Sequence, residues 1–301
     1  MSGEEKLTEI FYLPDVKKNP CNNVYVNRFR LKRAAPIEME SCGNDIEQKL
    51  SESHNCENII IDTGCTGVVN KIKNHTYSIQ QHQHNDPVVP IPVDFSKIHC
   101  LDNKIFINNL SQAIHRNIHP IPLGTPRDVD RKNLNILPNT QKHKMCYANF
   151  SITNMYRVDV MKWAAEQDFI DCRFVKRFPE WDNVWGKGIS FSDKIDFTDF
   201  LQELSQYKFA ITPNGVGIDT ERLWECVLLN VIPIVQKNYA NEIFSKIWPM
   251  LLVEKYETNN LQKMMLDFEN IHGEIVYDTD LLLLENLPFL LDRISFECER
   301  V

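Results

Sequence analysis

Short apolar runs separated by polar connections make up the first half of the chain: NVYVNRF (23–29), NIIIDTG (58–64), KIFINNL (104–110) and NIHPIPLG (117–124). Their Ile and Val content, and the Gly or Asn near their ends, predicts buried strands for three of them. LSQAIHRNI (110–118) predicts a short helix. The stretch 125–144 is polar, contains proline and has no clear period, so it reads as a linker between domains.

The second half alternates more cleanly. KMCYANFS predicts a strand, and MYRVDVMKWAAEQ a helix with Tyr156, Val160 and Trp163 on one side. CRFVKRF follows as a strand, then DFTDFLQELSQ as a helix capped by Asp196, with Phe197, Phe200, Leu201 and Leu204 inward. KFAITP, VIPIVQ and MLLVEKY then alternate, as strands, with the helices DTERLWECVLLN, YANEIFSKI and NNLQKMMLDFENI. Such alternation implies parallel crossover units and a doubly wound sheet. The expected organisation is a domain over 1–135, a second over 136–280, and a closing helix over 281–301 placed to pack back on the first.

Composition narrows the function. An apolar fraction of 43% and a charged fraction of 25% are those of a globular protein. A net charge of −8 argues against general electrostatic adhesion to nucleic acid or anionic membrane. Any bound phosphate must therefore be met locally. The nine cysteines are scattered singly with no CxxC pair, which suggests reduced thiols and a cytosolic compartment. No signal peptide or membrane anchor is visible, and the expected location is cytoplasmic, whether the source is cellular or viral.

The most informative stretch is Pro213-Asn214-Gly215-Val216-Gly217-Ile218-Asp219-Thr220, between a predicted strand and a predicted helix. Ligands of open parallel sheets bind beyond the carboxyl ends of strands. Gly215 and Gly217 allow a ligand to approach the backbone, and Asp219 is placed to cap the following helix. Arg222 and Glu225 share a helical face. One reading is purely architectural: Asp219 caps, Arg222 and Glu225 pair on the surface, and Trp224 packs.

The other reading comes from the longer segment YKFAITPNGVGIDTERLWECVLLNVIPIV. It resembles the carboxyl-terminal signature of exostosin-like glycosyltransferases, and the corresponding region of α1,3-fucosyltransferases. The matching pieces are Lys208-Phe209, Pro213, Gly215, Gly217, Asp219-Thr220, Arg222, Trp224-Glu225 and Ile232-Pro233-Ile234-Val235. Asn230 stands where a small residue is usual, as a left-handed replacement for Gly. The resemblance covers about a third of the chain, and the first half aligns with nothing.

The resemblance implies an α/β, GT-B-like fold, with two Rossmann-like domains facing a cleft, and transfer of a sugar from a UDP- or GDP-linked donor to a glycan or other hydroxyl acceptor. It implies that Glu225 accepts hydrogen bonds from ribose or sugar hydroxyls, and that Arg222 faces the diphosphate or orients Glu225. The backbone of Asn214–Gly217 would line the donor. No cofactor or bound metal is expected. Asn149, Ser151, Thr153 and Arg157, at the end of the preceding strand, are placed to meet a diphosphate. Lys176 and Arg177 form a second cationic pair.

The acceptor-side base, if one is needed, is sought in the first half: Asp62 at the end of NIII is the first candidate, and His119 the second. His75, His82, His84 and Asp86 lie in a Gln-rich stretch read as a surface loop rather than a metal site. A chain that keeps the donor site without turnover is the alternative function. A dinucleotide oxidoreductase ranks last, because no GxGxxG follows a first strand.

Overall fold

The computed structural model describes residues 104–125, 141–174 and 195–300, apart from Val216 and the Leu284 side chain, together with Ser192, Asp193 and the strands at 23–27, 58–62, 67–73, 76–81 and 90–94. Residues 126–140 of the linker expected over 125–144, together with Lys176, Arg177, His75, His82, His84 and Asp86, lie outside the described residues.

Two parallel sheets carry the architecture. The first is built from β1 (Asn23–Asn27), β2 (Asn58–Asp62), β6 (Lys104–Ile107) and β7 (Ile118–Pro120), in that order. The second contains β8 (Lys144–Ala148), β9 (Ile170–Cys172), β10 (Tyr207–Ile211), β11 (Ile232–Gln236) and β12 (Leu251–Val253). Its order is β12-β11-β10-β8-β9, all parallel. Between the strands of the first sheet, β3 (Gly67–Lys73), β4 (Thr76–Gln81) and β5 (Pro90–Asp94) form an antiparallel meander.

The helices are α1 (Met155–Ala165), α2 (Phe197–Ser205), α3 (Glu221–Leu228), α4 (Tyr239–Ile247), α5 (Leu261–His272) and α6 (Leu287–Cys298). Strands of the second sheet are apolar on both faces, as a parallel sheet covered on both sides requires. Cys146, Ala148, Phe209 and Ile211 point into one layer with Val158, Val160, Met161 and Ala164 of α1 and Leu261 and Met265 of α5. Tyr147, Tyr207 and Ala210 point into the other, with Phe200, Leu201 and Leu204 of α2 and with α3, α4 and α6. That second layer continues into the first sheet through Ile60, Phe106, Ile121 and Leu123. One core therefore joins the two sheets, and α6 packs on both α4 and β7.

Three expectations change. Residues 110–117 are irregular, closing with a turn at 116–117, rather than helical, and their backbone is drawn to the strands: Ile105 N–H bonds Asn117 O, and Ile118 N–H bonds His115 O. Residues 76–81, read as loop, form the central strand of the meander. The strand expected from Cys172 begins earlier, at Ile170. Asn230 does adopt the left-handed conformation, with φ 55°.

Candidate functional site

Relative to β8, the second sheet grows in two directions: β9 lies on one side, and β10, β11 and β12 on the other. The order is the doubly wound 2-1-3-4-5 pattern, and its switch point falls between β8 and β10. The turns leaving the carboxyl ends of those two strands are 149–154 and 212–220, the two stretches singled out in the sequence.

Arg157 ties these turns together from below. Its Nη1 donates to Ser151 O at 2.9 Å, Nη2 to Pro213 O at 2.7 Å, and Nε to Asn214 O at 2.9 Å. The side chain was expected to meet a diphosphate; its guanidinium instead serves three main-chain carbonyls and is buried. Asn154, which sequence reasoning passed over, has two roles. Its Oδ1 caps α1 by accepting from Arg157 N–H, and its Nδ2 donates to Gly215 O at 2.7 Å. An Asn immediately before a helical segment was the signal that could have found it.

Gly215 sits against this fork. A Cβ there would lie 3.2 Å from Arg157 Nη2. Gly215→Ala is expected to cost about 1 kcal/mol of stability, the scale of a small overpacking strain, while shifting the turn over the guanidinium. Chemical denaturation combined with nucleotide titration would separate those two effects. On the other side of β10, toward β11, Asn214 Nδ2 bonds Gln236 Oε1 at 3.0 Å, and the fully buried Tyr256 hydroxyl donates to Thr212 O at 2.9 Å. Pro213 and Gly217 are buried, while Asn214 and Thr220 are half-buried.

Asp219 takes a different role from the one expected. Thr220, not Asp219, is the N-cap of α3. Asp219 is buried; its Oδ2 accepts from Leu123 N–H at 2.6 Å, and its Oδ1 from Trp224 Nε1 at 2.8 Å. Its own N–H donates to Oδ1 of Asn109, a buried residue at φ 57°. Asn109 follows β6 and Leu123 follows β7, so the carboxyl-end loops of both sheets meet here. Burial raises the Asp219 carboxyl to about 7, with the N–H groups of Leu123, Trp224 and Thr220 pulling the other way.

On α3, Arg222 and Glu225 pair as their spacing predicts, Nε to Oε2 at 3.1 Å. The Arg222 guanidinium stacks on the Phe200 ring of α2, 3.8 Å from its centroid. Glu225 is only 5% exposed, and burial pushes its carboxyl upward against the pull of Arg222. Glu225 Oε2 is closed off from solvent and faces Arg222 Nε, with no aligned hydrogen bond to it among the described residues. Trp224, beside it, packs edge-on against both Phe244 and Trp248.

The remaining candidates are dispersed. Asn149 is buried and donates from Nδ2 to Tyr147 Oη, in the strand that it follows. Thr153 is buried, and its Oγ1 has no hydrogen-bond partner among the described residues. Asp62 closes β2, beside Asn27 of β1. His119 lies inside β7 in register with Phe106, 2% exposed, and its Nδ1 has no hydrogen-bond partner among the described residues. The ring packs 5.3 Å from that of Phe106. It is part of the core of the first sheet rather than a base turned to a cleft.

Burial, with a smaller contribution from Lys104, lowers the His119 imidazole to about 4. The folded pKa lies below the unfolded one, so the neutral ring adds stability above pH 6.5 that is lost as pH falls toward 4. By linkage the difference is about 3 kcal/mol. The stability gap between the wild type and His119→Leu is expected to move by that amount, in favour of the variant, between pH 7.5 and pH 4. Urea unfolding of both chains at the two pH values is the check.

No protein-family model and no curated protein matches the sequence. The chain is similar to several solved structures. One is the GtfA/B complex, with a TM-score of 0.40 and 11% identity, over 85% of this chain and 55% of that one. A second is the pneumococcal O-GlcNAc transferase GtfA in complex with UDP and GlcNAc, at 0.36 and 9%, over 85% and 55% of the two chains. A third is an α,α-trehalose-phosphate synthase (UDP-forming) from Burkholderia vietnamiensis, at 0.35 and 9%, over 92% and 63%. The chain thus spans 55–63% of the length of these three structures. Superpositions this loose carry no residue from one chain to another. Among the described residues, no helix is long and apolar enough to cross a membrane.

Proposed function

We propose that this chain is a GT-B-like glycosyltransferase that holds a nucleotide sugar at the switch point between β8 and β10 and passes the sugar to a hydroxyl acceptor. The observation that carries this reading is the meeting of the carboxyl-end loops of two parallel sheets around the 212–220 turn. That is where an α/β sheet offers helix N-termini and main-chain N–H groups to a ligand. The donor is a UDP- or GDP-sugar, and Glu225 is the residue that accepts its hydroxyl groups. A carboxylate accepts two hydroxyls at once. The exostosin-like character of residues 207–235 belongs to the same reading.

Arg157 serves the donor indirectly, by fixing the carbonyls of Ser151, Pro213 and Asn214, and with them the shape of both turns, whose main-chain N–H groups are to meet the donor. Leaving-group charge would then be met by those groups and by the first turns of α1 and α3. Transfer proceeds without a bound metal, so EDTA leaves the rate unchanged. The acceptor is a glycan or another hydroxyl compound, and Asp62 is the first residue to replace in a search for the base.

A thermal-shift panel of UDP, GDP, CMP, dTDP and their sugars tests the reading. Ligand at 100 times Kd adds roughly 2.7 kcal/mol to stability. One nucleotide family is expected to stabilise the chain; stabilisation by none of them would remove the proposal. A second reading, donor binding without turnover, is favoured by the burial of His119 within β7. Release of free sugar from the stabilising donor, assayed without acceptor, separates the two.

A further inference from the structure

Helix α6 has two unlike faces. Leu287, Leu290, Leu291 and Ile294 enter the core shared by the two sheets, where the helix packs on α4 and β7. The opposite face is open to solvent, with Phe289 67% exposed and Phe296 49%. Seven residues separate the two, nearly two full turns, so both rings stand on one line about 10 Å apart along the axis. Single exposed phenylalanines are ordinary. What sets this pair apart is a charge pattern with the same spacing.

Asp292-Arg293 and Glu299-Arg300 repeat an acid–base pair seven residues apart, and all four residues are exposed. Successive residues on a helix are turned by about 100°. Within each pair the acid therefore stands on one side of the phenylalanine line and the base on the other. Asp292 and Glu299 form one column, Arg293 and Arg300 the second. The basic column is already held in place. Arg293 Nη2 meets Glu297 Oε1 at 3.2 Å, and the Arg293 and Arg300 guanidiniums lie 5.8 and 5.2 Å from the centroid of the Phe296 ring. A guanidinium carries five N–H donors, so these contacts leave donors for a further carboxylate.

We propose that this face is a dimer interface, occupied by a second copy of the chain with the two α6 helices side by side and parallel. A two-fold axis parallel to the helices brings the acidic column of one subunit against the basic column of the other. Asp292 then faces the partner's Arg293, and Glu299 the partner's Arg300, each contact occurring twice, while the phenylalanines meet along the axis. An antiparallel pair would set acid beside acid and base beside base. A lipid surface fits poorly, since Asp292 and Glu299 would be pressed against anionic head groups. One helix pair covers less than the roughly 800 Å² per partner of a standard interface, so the dimer is expected to be weak, dependent on concentration and loosened by salt.

The test is sedimentation equilibrium of the full chain at rising protein concentration, in low and in high salt. The wild type is expected to dimerise. Asp292→Arg and Arg293→Asp each set like charges face to face, and each should weaken the dimer at least about tenfold. The chain carrying both substitutions restores opposite charges across the axis at unchanged net charge, and should recover dimerisation. These side chains are exposed, so the thermal midpoint should barely move in any of the three variants. A wild type that stays monomeric at its highest soluble concentration would overturn the proposal. So would single variants that dimerise as well as the wild type, or a double exchange that stays as weak as the singles.

Discussion

Arg157→Ala is expected to destabilise the fold by about 3–5 kcal/mol, the cost of removing one partner from a buried charged network. Three carbonyl oxygens, those of Ser151, Pro213 and Asn214, would lose their donors at once. These carbonyls belong to both turns of the switch point, so nucleotide stabilisation should vanish with the network even where the chain still folds. Arg157→Lys should recover less than half of the loss, because an ammonium cannot present a planar fork to three fixed acceptors. Urea denaturation followed by tryptophan fluorescence measures both variants. A loss below about 1 kcal/mol for Arg157→Ala would mean that the turns hold each other without the guanidinium.

Asp219→Ala should be the next most damaging change, at about 2–4 kcal/mol, because it strands two buried donors, Leu123 N–H and Trp224 Nε1. The damage spreads across the chain, since Leu123 follows β7 of the first sheet and Trp224 lies on α3. It also has a pH signature. The folded pKa of Asp219, about 7, lies above its unfolded value, so its contribution is largest at acid pH and declines as pH rises through 7. The gap between wild type and Asp219→Ala should therefore be wider at pH 5 than at pH 8. A gap that widens toward pH 8 would show that the carboxylate is stabilised as the anion.

These two residues also mark where sequence reading stops. Arg157 and Asp219 both belong to the switch-point turns; from sequence Arg157 was expected to meet a diphosphate and Asp219 to cap α3. A cation at the end of a strand looks the same in sequence whether it meets a ligand or the carbonyls of the next turn. Asp219 stands just before a helix, where an N-cap is the local expectation; the partner that claims its Oδ2 is 96 residues away. Local chemistry carried further where both partners lay within one turn. The Arg222–Glu225 pair and the left-handed Asn230 both form as their spacing and residue type suggest.

Periodicity served the second sheet well because its strands are apolar on both faces and its helices intervene regularly. The meander was harder: GVVNKIK and TYSIQQ mix polar residues into short strands, and β5 contains two prolines. Proline lowers the strand signal even where an edge position tolerates it. The 110–118 segment misled in the opposite direction. Its apolar spacing suits a helix, but the carbonyls of His115 and Asn117 accept from Ile118 of β7 and Ile105 of β6, and that of Ser111 from Tyr239 of α4.

The most direct measurement is the affinity of the best nucleotide sugar, by isothermal titration, for the wild type and for Glu225→Gln. Glutamine keeps the shape of the side chain and leaves Arg222 room to stack on Phe200, but it replaces a carboxylate with a group that accepts through one oxygen only. A loss of at least about tenfold, roughly 1.4 kcal/mol, with the unfolding midpoint changed little, is the predicted result. Unchanged affinity in Glu225→Gln would contradict the placing of the donor against α3, and with it the central claim.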